Sequence, residues 1–275
     1  MPDGGFAYVS IIDWPSSFTR QDMVRAVSTA TGMDPYLAAQ RVAKPVPMVL
    51  MRMPPPAAAS ALESLGKSGV TAFAPTDEQL ASVPAPIRAK SLSAAEGAPE
   101  PMYFCEVWRG EPFGLRPRDI FLLVRARIAK TEFAGTRTEV DIGYSAIGGG
   151  PVSMQHEVPV ERTTVADMID LYLRQDRGPI TRVRIDGRKF NFDVLGKARA
   201  LSDNTNADSL SLLIARQAPH AVIDTRFGDF SCPPGTVKVT AARFSPDSRQ
   251  RRDDHPVFEF YSAWSCLMCL GLMGG

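Results

Sequence analysis

The chain has 275 residues, 44% hydrophobic and 22% charged, with a formal net charge of +1. That length predicts two domains with real cores, and the near-neutral balance supplies no field for general nucleic-acid binding or attraction to an anionic membrane. No run of about 18 apolar residues is present and "MPDGGFAYVSIIDW" has no basic region ahead of an apolar one, so neither a membrane span nor a secretion signal is expected. Four cysteines without a disulfide framework then point to the cytoplasm.

In chain order, "FAYVSIIDW" is rich in aromatic and β-branched residues and predicts a strand. "SSFTRQDMVRAVSTATG" predicts a helix capped by Thr19, with Asp22 three residues on and Gly32 as its stop. Met23, Val24, Val27 and Ala30 form its apolar face. A short second helix starts at Asp34, has Pro35 in its first turn and ends near Pro45. "VPMVLMRM" predicts a strand, with Pro47 marking an edge or a strand start. "PPAAASALESLGKSG" predicts a third helix with Ala58, Ala61, Leu62 and Leu65 on one side, and "VTAFA" a closing strand. The expected unit is a β-α-α-β-α-β domain over residues 1–76.

The stretch from "MVRAVSTATGMDPYLAAQRVA" through "PPPAAASALESLGKSGVTAFA" resembles the C-terminal domain of the bacterial ribosomal stalk protein. The shared features are "RAV", "ATG", the short helix bearing Ala38 and Val42, the proline-bounded connection, the alanine-rich helix and G-x-T leading into a strand. The resemblance implies a small α/β module used for contacts. In that family, basic residues on the first two helices recruit translation factors. Arg25 stands at one such position, whereas Ser28 and Ala39 occupy two others, so the factor-binding surface is not carried over.

Residues 77–101, rich in Ala, Ser and Pro, are expected to be a linker with a short helix near Glu78 to Val83. From 102 to 275 the pattern predicts a mostly antiparallel β domain closed by two helices, giving an α+β protein. "MYFCEVWRG", "DIFLLVRARIAK", "TEVDIGYSAI", "DMIDLYLR", "ITRVRI" and "KFNFDVL" read as strands, with Asp186-Gly187 as a hairpin turn between the last two. "ADSLSLLIARQA" and the segment from Pro256 read as helices. The order of a meander and a terminal amphipathic helix is distantly similar to pleckstrin-homology-like domains, although two helices follow the strands here.

Few residues suggest chemistry. Cys266 and Cys269 in "SCLMCLG" have the spacing of thiol redox sites and zinc knuckles. Zinc needs four ligands, and Cys105 and Cys232 stand alone. Redox pairs also sit at helix N-termini, where the dipole favours the thiolate, whereas this pair lies near a C-terminus. Val257, Phe260, Tyr261, Trp264, Leu267 and Met268 form an apolar stripe beside it, which predicts buried, inert thiols. "SDNTNADS", Ser202 to Ser209, lacks the EF-hand's glycine and glutamate and reads as a loop ending in a cap at Asp208 or Ser209. Gly148 to Gly150 reads as a turn without a phosphate-binding ending, and His156, His220 and His255 are scattered. Arg125 and Arg127, then Arg182 and Arg184, alternate outward on strands, with Arg188 beyond them. On one sheet they would form an array able to bind an anion or headgroup. The alternative is a solvated face balanced by Asp170, Asp186 and Asp193.

No cofactor is implied. The expected function is a non-enzymatic cytoplasmic adaptor or regulatory protein acting through a protein partner. The alternatives are an enzyme or thiol- or metal-dependent sensor using Cys266 and Cys269 or an inter-domain pocket, and anion binding by the arginine face.

Overall fold

The computed structural model describes residues 5–95, 97, 100–144, 151–175, 178–230 and 253–273. The chain is α+β, with one three-stranded and one seven-stranded sheet. The glycine run at Gly148 to Gly150 and Cys232 lie outside the described residues, as does the side chain of His156.

The first unit follows the expected order: β1 (Ala7–Asp13), α1 (Arg20–Thr31), α2 (Pro35–Arg41), β2 (Met48–Met53), α3 (Pro55–Lys67) and β3 (Thr71–Phe73). Local chemistry explains its boundaries. Thr19 accepts from the Asp22 backbone N–H, and the Asp22 carboxylate accepts from the Thr19 N–H at 3.0 Å, a complete capping box. Gly32 ends α1 at φ 68°, a conformation that favours glycine. Asp34 caps α2 through the Tyr36 N–H. The strand order is β2-β1-β3, so the strand following Pro47 is an edge.

β1 is buried on both faces. Ala7, Val9 and Ile11 meet Val27, Ala38, Ala61 and Leu65 of the helices. Tyr8, on the other side of the strand, belongs to the core built around the terminal helix.

The expected linker is structured. After α4 (Asp77–Ser82), residues 87–94 form β4 (Ile87–Ala94), an interior strand of the seven-stranded sheet. That sheet therefore begins at Ile87 rather than at residue 102. It continues with β5 (Tyr103–Val107), β6 (Phe113–Leu115), β7 (Ile120–Tyr144), β8 (Pro151–Arg174), β9 (Ile180–Asp186) and, after α5 (Asp203–Gln217), β10 (Val222–Asp224). The order is β10-β7-β8-β9-β4-β5-β6. Two pairings are parallel, β10 with β7 and β4 with β9; the others are antiparallel.

"DIFLLVRARIAK" and "TEVDIGY" belong to one strand, β7. β9 pairs with β8 only from Met168 to Arg174, and β10 meets β7 only at Leu122 to Val124. Beyond these, β7 and β8 extend as a two-stranded ribbon, bulged between Phe133 and Gly135, where Gly135 takes φ 132°.

"KFNFDVL" is not a strand. The edge of β9 that it would need is already occupied by β4. Only Asn191 bridges, to Ser91, and short 3-10 turns follow over 193–198. Phe190 and Phe192 instead turn into the core, with ring centroids 5.0 Å apart. Gly187 serves close approach rather than a hairpin: its N–H donates to the Asp167 carbonyl at 2.8 Å, and a Cβ there would lie 3.1 Å from that oxygen.

α5 packs Ala207, Leu210 and Ile214 on one face of the sheet, against Ile169, Leu171, Val183 and Ile185. It begins at Asp203, so "SDNTNADS" forms its first turns rather than a loop ending at Asp208 or Ser209. The buried Asn206 amide sets this start by bonding the Ala200 N–H at 2.7 Å and the Ala200 carbonyl at 3.0 Å.

α6 (His255–Met273) covers the opposite face. It also closes the back of the first sheet, where Trp264 donates to Ser10 Oγ at 3.0 Å and Phe260 meets Tyr8 edge-on. Being enclosed by both sheets, α6 is buried around most of its circumference. It is long and apolar enough to cross a membrane, and half of that stretch is buried within the fold.

Candidate functional site

The four alternating arginines do share a sheet, but they do not form one array. Arg125 pairs in register with Ile169 and points toward α5, where it bonds Asp208 and, at 2.9 Å, Asp167. Arg127 is exposed. Arg182 and Arg184 lie on the α6 face and are buried. The alternation is present, yet what is laid over each face decides which side chains meet solvent, and α6 covers Arg182 and Arg184. Burial of Arg182 and Arg184 departs from the solvated alternative as well, while Asp170 balances them as that alternative expects.

Beneath α6, Asp170 is fully buried and accepts from both guanidinium groups: Arg182 Nη2 at 2.7 Å, Arg184 Nε at 2.7 Å and Arg184 Nη2 at 2.7 Å. Ser262 Oγ adds a bond at 2.6 Å and shares another at 2.8 Å with Tyr172 OH. The other edge of each arginine is taken by Glu259, at 2.5 Å from Arg182 and 2.6 Å from Arg184. Burial opposes the charge on Asp170, but the bond to Arg184 and the two guanidinium charges outweigh it and hold the carboxyl below its usual range. Two positive and two negative groups cancel, and all are bonded. This network joins α6 to the sheet and leaves no group free for an incoming anion.

A second carboxylate performs a similar task at β10. Asp224 accepts from Tyr261 OH at 2.7 Å and Ser265 Oγ at 3.2 Å, and pairs with Arg226.

The thiols lie inside the core. Cys266 and Cys269 pack among Trp264, Phe258 and Met268. Burial pushes the Cys266 thiol up to about 12 and raises that of Cys269, the reverse of what a reactive pair needs. Cys105, in the other core cluster, is pushed up to about 12 for the same reason. No group of three or more His, Cys, Asp or Glu among the described residues is arranged to hold a metal. In the native chain Cys105, Cys266 and Cys269 are expected to resist Ellman's reagent until denaturation; rapid labelling of Cys266 or Cys269, read by peptide mass spectrometry, would contradict this placement. The same burial predicts alkaline weakening. As pH rises from the ordinary thiol value of 9.0 toward about 12, the unfolded Cys266 ionises while the folded one stays neutral, and stability falls.

A cavity where the two sheet units meet, lined by Pro47, Arg226, Phe230 and Tyr261, measures about 20 Å³, room for one water molecule. Two larger concavities lie elsewhere. One, of about 740 Å³, runs between α1 and α2; Val24, Pro35 and Ala39 line it, with Arg20 and Arg25 at its rim. Arg20 reaches the Ala39 carbonyl at 3.3 Å and Arg25 stands 4.0 Å from Asp22. Tyr36 and Leu37, beside it at the start of α2, are 71% and 51% exposed.

The other, of about 970 Å³, opens on the α6 face of the large sheet between β4 and the first turn of α6. Met168, Ala89 and Arg184 line it together with Arg88, Trp108, Arg109, Lys189, Asp186 and His255. Sequence reasoning missed it because Arg88 fell in the expected linker and Trp108 and Arg109 follow a strand end. The only signal was the cluster of basic and aromatic residues around "IRAK", "VWRG" and "DGRK", which becomes a site only once β4 pairs with β9. His220 is exposed on a turn away from this cleft, and His255 Nδ1 pairs with Asp253 at 2.9 Å. No family model, curated protein or solved structure matches the chain.

Proposed function

We propose that the chain is a cytoplasmic, non-enzymatic adaptor whose α1–α2 groove docks an apolar segment of a protein partner flanked by acidic residues. The observation that carries this reading is the exposure of Tyr36 and Leu37, next in the chain to Pro35, which lines a groove with apolar walls and two arginines. Large apolar side chains left in water next to a concavity favour burial by a partner, and Arg20 and Arg25 select for negative charge at its edge.

The resemblance to the stalk module implies a small α/β unit used for contacts, without that family's factor-binding surface. With Ser28 and Ala39 at positions that are basic in that family, recognition here rests on apolar anchors. The thiol-sensor alternative loses support from the burial of Cys266 and Cys269. Anion binding by Arg182 and Arg184 loses support from their pairing with Asp170 and Glu259.

The full chain used as bait in native extract is expected to retain a protein whose recovery falls about tenfold with Tyr36→Ala plus Leu37→Asp and declines as salt is raised. Both side chains are exposed, so the melting temperature should hold. Equal recovery by this variant and by Arg25→Glu, which reverses a charge in the groove lining, would end the assignment of this groove.

A further inference from the structure

We propose that the cleft between β4 and the first turn of α6 binds a small phosphorylated ligand bearing a planar ring, a nucleoside phosphate by chemical class. Arg88 and Arg184 stand abreast in register on the parallel strands β4 and β9 and face the same side of the sheet. Arg184 is fully committed to Asp170 and Glu259. Arg88 is exposed, as is Arg109 across the cleft, and among the described residues neither forms an ion pair. Lys189 is only 3.9 Å from Asp186, a weak pair at an exposed rim. Two unneutralised guanidinium forks and an ammonium thus converge on one concavity in a chain whose net charge is only +1. Guanidinium forks match phosphate oxygens in pairs, which a diffuse surface patch does not achieve.

Shape and apolar surface narrow the class further. The volume of about 970 Å³ is at the upper end of the range for small-molecule sites and exceeds what inorganic phosphate needs. Trp108 is 53% exposed, yet its segment is anchored, since its N–H donates to the Arg88 carbonyl at 3.0 Å. An indole held at the wall of a cationic cleft offers a stacking surface for a planar ring beside the phosphate position. Asp186, on the same wall as Lys189, supplies an acceptor for the ligand's hydroxyl or amino groups. The cleft is distinct from the α1–α2 groove and shares no residue with it.

The test is calorimetric titration of the full chain with adenosine monophosphate, adenosine and inorganic phosphate. Adenosine monophosphate is expected to bind saturably, and more tightly than either fragment. Arg88→Ala plus Arg109→Ala should weaken it about tenfold or more, at an unchanged melting temperature because both side chains are exposed. Trp108→Ala should reduce adenosine monophosphate to the affinity of inorganic phosphate. Four results would overturn the proposal: no heat from adenosine, guanosine or cytidine monophosphate at millimolar concentration; inorganic phosphate binding as tightly as the nucleotide; unchanged binding by the double variant; or sedimentation with phosphatidylserine vesicles that millimolar nucleotide does not reverse. Should the double variant fold poorly, Arg109→Ala alone carries the same comparison.

Discussion

Asp170→Asn is expected to cost about 3–5 kcal/mol, a large share of a typical domain's stability. The aspartate is the hub on which both buried guanidinium groups converge, and among the described residues Glu259 is the other carboxylate they reach. Asparagine keeps the shape but removes the charge, so two positive groups face one half-exposed carboxylate. Urea denaturation followed by circular dichroism measures the loss. An informative companion replaces Asp170, Arg182 and Arg184 together with apolar residues of similar volume. Because the cost comes from uncompensated charge, this triple variant should be more stable than Asp170→Asn alone.

The same group sets an acid limit. Its carboxyl is depressed in the fold relative to its ordinary value of 3.8. Its contribution is therefore complete above that value and is lost as pH falls through the depressed folded one. Asp224, lowered by Arg226 and Tyr261 against its own burial, adds in the same direction. A wild-type chain whose stability between pH 5 and pH 2 fell no more steeply than that of Asp170→Asn would contradict this account of the network.

Trp264→Ala is the second large effect, expected at about 3–5 kcal/mol. The indole is fully buried between the two sheets, near the rings of Phe230 and Tyr261 at 5.6 and 6.0 Å, and its N–H reaches Ser10. Alanine would leave a cavity where α6 covers β1, loosening the first unit from the rest. Limited proteolysis should then cut between the two units earlier than in the wild-type chain. Trp264→Phe keeps a ring and removes the donor, so the difference between the two variants measures ring packing, while the difference between Trp264→Phe and wild type carries the Ser10 bond, about 1 kcal/mol. Equal stability of Trp264→Ala and wild type would show that α6 does not hold the units together.

Much of the first unit was legible in its residues. Thr19 with Asp22, Gly32, and Asp34 with Pro35 are local signals whose physics acts within one turn of chain. The burial of the terminal thiols followed in the same way, from the apolar stripe around Trp264. The candidate site was not legible. Trp108 reaches Arg88 through the antiparallel pairing of β4 with β5, but Arg88 and Arg184 come together only through a parallel pairing of β4 with β9, strands separated by roughly half the second unit, and no local period encodes that choice. "KFNFDVL" shows the same limit. It has strand chemistry but no free edge to pair with, because β4 is already there.

By itself, then, the amino-acid order determined where helices begin and end in the first 76 residues, that the chain mixes helices with a mostly antiparallel sheet, and that its C-terminal segment is apolar enough to be enclosed. The tertiary structure decided which faces see water. Alternation along a strand assigns a side chain to one of two faces, but whether that face is solvated depends on what a distant segment lays over it. α6 lies over Arg182 and Arg184, turning them into a buried neutral network, and stops short of Arg88 and Arg109, which remain in an open cleft.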